Sequence, residues 1–348
     1  MRRLGNKCHQ QRLLLQWHIT ERCNLRCAHC YQTACDPDPS FADLLVILDQ
    51  YKAVLDDVDA AGHITLTGGE PFLREDFLDL LGIIADEKPR ISFAVLTNGS
   101  LIDVHLSRRL RKLEPQFVQV SMDGTELTHD RLRGSGNFAQ VCGAVRELVA
   151  NRVPTLISFT AHRLNYREFP DVAKVGRKLG ATRVWADRLI PLGRGSNLET
   201  LTPAENLEFI GLMHQARMEA RGWFQHTQIP MHRALQFLGG GHPYRCSAGN
   251  TLIAVQPNGD VYPCRRLPIR VGNVFERFMS EIYRESEFLC SLRERSRIST
   301  GCENCAQFSR CGGGLRCLAQ AVSGSAFDAD PGCWLAATRS QFSRAAND

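Results

Sequence analysis

The sequence predicts an α/β fold: a parallel sheet built from six strand–helix units, followed by a small cysteine-rich α+β unit with a β-hairpin. Three observations carry this expectation. Between Leu13 and Arg188, short apolar runs alternate with segments whose apolar residues recur at helical spacing, the pattern of βα units around a parallel sheet. Further on, Asn258-Gly259 sits between two short apolar runs, a strong hairpin signal. Eleven of the 14 cysteines fall in two fields, Cys23 to Cys30 and Cys246 to Cys333.

The elements follow in order. Residues 1–12 read as an N-terminal leader segment. Leu13-Leu14-Leu15-Gln16-Trp17-His18-Ile19 reads as a buried strand, and the first cysteine loop follows it. From Phe41 to Ala60, Leu44, Leu45, Ile47, Leu48, Tyr51, Val54, Leu55 and Val58 recur at helical spacing, with Ser40 as N-cap. A strand Ile64–Thr67 ends in Gly68-Gly69-Glu70-Pro71, and a helix runs from about Glu75 to Glu87. Strand Ile91–Leu96 is closed by Thr97-Asn98-Gly99, and helix Asp103–Leu113 leads to strand Phe117–Ser121. Helix Phe138–Ala150, strand Thr155–Thr160, helix Tyr166–Leu179 and strand Arg183–Arg188 complete the alternation. Six units are too few for a closed eight-fold barrel. Residues 13–195 are thus one unit and 196–240 a connector. Its helix, Pro203–Arg221, carries Leu207, Ile210, Met213 and His214 on one face. His214 reads as a helix-surface or core histidine rather than a ligand. Gly239-Gly240-Gly241 marks a break, and 241–348 form the cysteine-rich unit.

Composition narrows the function class. A chain of 348 residues suits a barrel of ~200–250 residues plus a second unit. With 43% hydrophobic and 23% charged residues it can bury a large core. The net charge of +5 is mild and gives no reason to expect a nucleic-acid partner. Met1 to Arg12 has no apolar core of a secretory signal, and no apolar run approaches the ~18 residues of a membrane helix. The expectation is a cytoplasmic chain with no membrane partner, in which many cysteines mean metal or redox chemistry. Cys8, Cys35, Cys142 and Cys290 fit no motif and are expected to be buried small hydrophobes.

Cys23, Cys27 and Cys30 lie four and three positions apart. Thiolates are the usual ligands of iron–sulfur clusters, and a cubane takes four. Three, packed this tightly, leave a fourth iron open to a ligand that is not protein. A zinc site is the alternative for the triad alone. Cys-x3-Cys-x2-Cys after a first strand resembles the signature of radical S-adenosylmethionine (radical SAM) enzymes, whose partial (β/α)6 barrel of TIM type matches the six units. The resemblance implies a [4Fe-4S] cluster on Cys23, Cys27 and Cys30. SAM would chelate the open iron and be cleaved to a 5′-deoxyadenosyl radical that abstracts hydrogen from substrate. It also implies SAM contacts. Gly68, Gly69 and Glu70 would meet the methionine amino group. Ser121 and Arg133, twelve residues apart, would meet the carboxylate and ribose. His29 and Leu189 would lie near adenine. For a lone Gly-Gly-Glu an ordinary strand-to-helix turn is the competing reading, and for Arg133 a surface ion pair.

The second field resembles the SPASM domain, a seven-cysteine extension of radical SAM enzymes that usually holds two auxiliary [4Fe-4S] clusters. Cys246 precedes the hairpin and Cys264 ends it; Cys302, Cys305, Cys311, Cys317 and Cys333 follow. The family pattern has a cysteine where this chain has Leu315, and the resemblance carries that role to Cys317. Cluster I would use Cys246, Cys264 and Cys317, and cluster II Cys302, Cys305, Cys311 and Cys333. Zinc, or the absence of cluster I, remains the alternative. Arg265 and Arg266 follow Cys264, where sulfatase maturases have an acidic proton acceptor. They would offset cluster charge, meet an acidic substrate, or form a solvated basic turn.

The resemblance implies an oxidoreductase that modifies a peptide or protein substrate, fed by an electron donor such as flavodoxin or ferredoxin. The alternatives are radical modification of a tetrapyrrole or other small molecule, and a non-enzymatic metal-binding scaffold.

Overall fold

The computed structural model describes residues 12–32, 37–221, 227–242 and 244–336. Six parallel strands lie side by side in sequence order: β1 (Arg12–His18), β2 (Ala61–Thr67), β3 (Ile91–Thr97), β4 (Phe117–Ser121), β5 (Thr155–Ala161) and β6 (Arg183–Arg188). Between and after them come helices α1 (Phe41–Asp57), α2 (Phe77–Asp86), α3 (Val104–Leu113), α4 (Glu126–Arg133), α5 (Asn137–Ala150), α6 (Phe169–Lys178) and α7 (Pro203–Glu219). The strands read as nearly continuous apolar runs because helices cover the sheet. Leu15, Trp17, Ile64, Phe93, Val120 and Ile157 are all buried in one core. Ser40 caps α1 as expected: its side chain accepts from the Asp43 amide while Asp43 reaches back to the Ser40 amide.

The hairpin forms where Asn258-Gly259 predicts it, between β7 (Leu252–Val255) and β8 (Asp260–Tyr262). It does not stand apart from the barrel sheet. β7 pairs in parallel with β1, with Leu14 opposite Leu252 and Trp17 opposite Val255. β9 (Gly272–Asn273) completes a nine-stranded sheet in the order β6-β5-β4-β3-β2-β1-β7-β8-β9. β1 is therefore an interior strand, flanked by β2 and β7.

Three further elements depart from the expectation. α4 covers the stretch that contains His129 and Arg133. Its two leucines do not reveal a helix, because Leu127 is exposed and only Leu132 is buried. The expected helix over 166–179 opens with a 3-10 turn at Tyr166–Glu168, and Pro170 lies in the first turn of α6. The C-terminal helices α8 (Met279–Glu285), α9 (Glu287–Arg293), α10 (Phe308–Cys311) and α11 (Arg316–Ser323) span two turns or fewer, too short for periodicity to show. Cys142 is buried as expected, but Cys290 is exposed, on the outer side of α9. Cys8 and Cys35 lie outside the described residues.

Side-chain clamps fix the C-terminal unit on the barrel. Gln50 of α1 donates to the Val274 carbonyl and accepts from the Met279 amide, both at 2.8 Å. Arg188, at the end of β6, forms a two-pronged pair with Asp330 at 2.7 and 2.5 Å. Both side chains are nearly fully buried. The same carboxylate accepts the amides of Leu315 and Gly332, so four donors satisfy it. A buried guanidinium left without its carboxylate is strongly destabilising. We expect Asp330→Ala to lose about 3–5 kcal/mol of stability, read from urea unfolding of the anaerobically purified protein. A loss below about 1 kcal/mol, the range of exposed ion pairs, would contradict this role.

Candidate active site

The C-terminal ends of β1 to β6 open into one cavity of about 880 Å³. This is the end at which parallel α/β folds place their chemistry. Cys23, Cys27 and Cys30 line it on the loop after β1. Gly68 and Gly69 line it after β2, Ser121 at the end of β4, Leu189 after β6, and His29 and Arg133 beside the triad. Of the residues expected to contact a cofactor, Glu70 alone does not line it.

Gly68 and Gly69 are required by the chain's own backbone. The Gly69 amide donates to the Thr20 carbonyl and the Glu70 amide to the Arg22 carbonyl, both at 2.8 Å. A Cβ at Gly68 would lie 2.2 Å from the Thr20 oxygen, and one at Gly69 would lie 2.1 Å from the Arg22 oxygen. Gly68 also has a φ of 141°, which disfavours any side chain. The turn after β2 thus anchors the root of the cysteine loop. Glu70 points inward, fully buried, and accepts from the Phe72 amide, the Thr97 hydroxyl and the Asn98 amide. Burial lifts its carboxyl to about 7. Asn98 in turn donates to Asn24 at 2.9 Å and approaches the Cys23 sulfur.

Arg133 is held rather than free. Its Nε donates to Asp123 at 2.6 Å, one terminal nitrogen reaches the Cys27 sulfur at 3.7 Å, and the other lies 3.2 Å from His29 Nε2. Asp123 also accepts the Thr160 amide at 2.7 Å. Burial pushes the Asp123 carboxyl upward, but Arg133, His29 and His129 outweigh it and hold the group below the usual carboxylate range. Burial lowers His29 to about 4, so its ring is neutral. Nε2 also lies 3.4 Å from Asp123, while Nδ1 is buried and has no hydrogen-bond partner among the described residues. An unsatisfied buried polar atom calls for a ligand, and His29 lines the cavity.

The other thiols converge as two sets. Burial raises the Cys317 thiol, and Cys264 and Cys246 push it further, against Arg266. Those three belong together, and Leu315 lies buried in the apolar cluster beside them. Gly312, Gly313 and Gly314 have φ of 67°, 91° and 86°. This left-handed run between Cys311 and Leu315 suits glycine alone. In the second set, burial raises Cys311 to about 12, with contributions from Asp330, Cys333 and Cys302, and Cys305 acts on Cys333. All four line one small cavity. At the triad, burial raises Cys27, Arg133 pulls it back and Cys30 adds to the push. All the described cysteines are free thiols. Such thiols give up their protons to a metal on binding. Among the described residues, no group of three or more His, Cys, Asp and Glu side chains is arranged to hold a metal ion. A cubane asks for a wider set than one ion does, because each thiolate binds a different iron. Three sets of mutually interacting thiols fit that demand.

A family model of the Radical SAM superfamily matches residues 17–175, and one of the SPASM iron–sulfur cluster-binding domain matches 246–306. The chain belongs to the radical SAM superfamily. It is a radical SAM enzyme with a SPASM domain, and its cofactors are [4Fe-4S] clusters and SAM. Among curated proteins it is 26% identical to the AdoMet-dependent heme synthase of Methanosarcina barkeri, over 92% of this chain and 95% of that one. It is 28% identical to the mycofactocin maturase MftC of Mycobacterium ulcerans, over 92% and 87%. Among solved structures, anSMEcpe with bound AdoMet superposes with a TM-score of 0.77 at 21% identity, covering 97% of this chain and 98% of that one. That likeness fixes the fold, a radical SAM partial barrel with a SPASM extension. No described helix of this enzyme is long and apolar enough to cross a membrane.

Several residues of the site were not expected from the sequence. Asp123 and Asp187 are buried carboxylates, each paired with an arginine. A lone Asp in the apolar run Val184-Trp185-Ala186-Asp187 was the available signal, since a buried charge needs a partner. Gly69→Ala should break the anchor of the cysteine loop. We expect reconstituted Gly69→Ala to lose the share of iron held near the triad and the SAM-dependent change in its EPR signal, while keeping the C-terminal iron. Full iron content with a normal signal would contradict the anchoring role.

Proposed function

We propose that this radical SAM enzyme is an oxidoreductase that modifies a peptide or protein by hydrogen abstraction. In this reading Cys23, Cys27 and Cys30 hold the SAM-binding cluster. Cys246, Cys264 and Cys317 hold an auxiliary cluster with one iron free of protein, and Cys302, Cys305, Cys311 and Cys333 hold a second. The observation that carries the reading is the continuity of the cavity. Its wall includes the triad at one side and, at another, Arg265 and Arg266 directly after Cys264. A substrate in that space would reach from the triad to the two arginines that follow Cys264.

When bound, the reduced cluster and SAM supply the hydrogen-abstracting radical; the protein supplies position and insulation from water. Arg133, clamped by Asp123, sets a guanidinium against the SAM carboxylate and the Cys27 sulfur. His29 Nδ1 and Leu189 would meet adenine. Phe159 and Trp185 are part of the wall, and Trp185 is fixed by its indole N–H donating to Gln119 at 3.1 Å. A flavodoxin or ferredoxin would deliver the electron.

Peptide chemistry is supported by the similarity to a mycofactocin maturase, and by the fold shared with native anSMEcpe with bound AdoMet and Cp18Cys peptide. A second reading, a tetrapyrrole substrate, is supported by relatives titled AdoMet-dependent heme synthase and Fe-coproporphyrin III synthase, 26% and 27% identical. A scaffold without turnover has no such support. Reconstituted protein given dithionite and SAM should form 5′-deoxyadenosine, and Cys27→Ala should abolish this without removing C-terminal iron. Continued 5′-deoxyadenosine formation by the Cys23, Cys27 and Cys30 triple alanine variant would refute the assignment.

A further inference from the structure

The cavity wall is rich in arginine, and most of these guanidiniums are already engaged. Arg133 is paired with Asp123 at 2.6 Å and Arg188 with Asp330 at 2.5 Å. Arg22 is paired with Asp38 at 2.7 Å. The two arginines after Cys264 differ from each other. Arg266 donates to Asp187 at 2.6 Å, so those two charges cancel. It is also the guanidinium that acts on the Cys317 and Cys264 thiols.

Arg265 has no carboxylate partner among the described residues. Its backbone amide donates to Gln16 Oε1 of β1 at 3.1 Å, and Gln16 also accepts from the Cys264 sulfur at 3.5 Å. The chain direction at Arg265 is therefore fixed by the central strand. Its guanidinium stands 5.9 Å from the centre of the Tyr31 ring, with one terminal nitrogen 3.4 Å from the Tyr31 hydroxyl. Its Nε is buried and makes no hydrogen bond among the described residues. A held, half-buried guanidinium with a donor unspent, on the wall of a reaction cavity, matches one kind of group. A planar fork of N–H donors binds a carboxylate through two parallel bonds.

We propose that Arg265 is a specificity-determining residue that binds a free carboxylate of the substrate, beside the Cys264 end of the cavity. The inference rests on the reading of this cavity as the substrate site. The carboxylate could belong to a peptide or to the propionate of a tetrapyrrole, and the test separates the two sources. Arg133 is engaged with Asp123 and the Cys27 sulfur, and Arg265 stands against Tyr31, so the carboxylate of SAM and that of the substrate would have separate guanidiniums.

The test is equilibrium binding by calorimetry, under anaerobic conditions, to reconstituted enzyme with SAM. Short peptides are supplied as C-terminal acids and as the matching amides. A porphyrin with free propionates is supplied alongside its methyl ester. In at least one series we expect the acid to bind roughly tenfold or more tightly than its neutral partner, the scale of a hydrogen bond to a charged group. Arg265→Gln should abolish that preference, and Arg265→Lys should restore part of it. The proposal is overturned if neither series prefers the acid, or if Arg265→Gln keeps the preference. Preference in the porphyrin series alone upholds the role of Arg265 and refutes the peptide reading. Because the readout is binding, loss of SAM cleavage would leave this outcome intact.

Discussion

The parallel pairing of β1 with β7 is the constraint on which the rest of the site depends. β1 ends at the loop that carries Cys23, Cys27 and Cys30, and β7 belongs to the hairpin that ends at Cys264. More than two hundred residues separate these strands in sequence. Their ladder, from Leu14 opposite Leu252 to Trp17 opposite Val255, sets the two cysteine fields in one register. A one-residue slip would turn every side chain of β7 to the opposite face. Gln16 would then no longer accept from both Cys264 and Arg265. One strand thus positions the thiols of the cofactor loop and, through a single side chain, the residues Cys264 and Arg265.

Buried ion pairs hold what the ladder aligns. Asp123 with Arg133, Asp187 with Arg266 and Asp330 with Arg188 are each nearly shielded from water. Such pairs contribute less to stability than hydrophobic replacements would, because both charges must be desolvated. Their value here is directional. Each carboxylate has further donors: the Thr160 amide for Asp123, the Arg188 amide for Asp187, and the amides of Leu315 and Gly332 for Asp330. Every arginine is thereby held against a fixed anchor. The glycines at 68, 69, 314 and 332 allow backbone and side chains to approach where a Cβ would collide.

Much of this was legible in the sequence, and the boundary has physical causes. Six strand–helix units showed because each strand is a buried apolar run and each long helix buries one stripe. The three groups of cysteines came from the family resemblance, with Cys317 carried into the place of Leu315, and Cys317 lies buried in one cluster with Cys246 and Cys264 packed against it. The β1–β7 pairing was not legible, since a four-residue apolar strand carries no record of its partner. α4 was hidden because its charged residues leave too little apolar period. The Glu70 side chain clasps the Thr97–Asn98 turn. The sequence shows an acid after two glycines, but only the packing shows which way it turns.

At the centre of this account, the two cysteine fields build three separate iron centres, the first of them on the wall of the main cavity. Crystals grown anaerobically from reconstituted protein, with anomalous differences measured at the iron edge, test it most directly. The expected map has three peaks: one among Cys23, Cys27 and Cys30, one among Cys246, Cys264 and Cys317, and one among Cys302, Cys305, Cys311 and Cys333. A map with two peaks, in which Cys317 binds no metal while Cys246 and Cys264 are empty or bridge elsewhere, would contradict it.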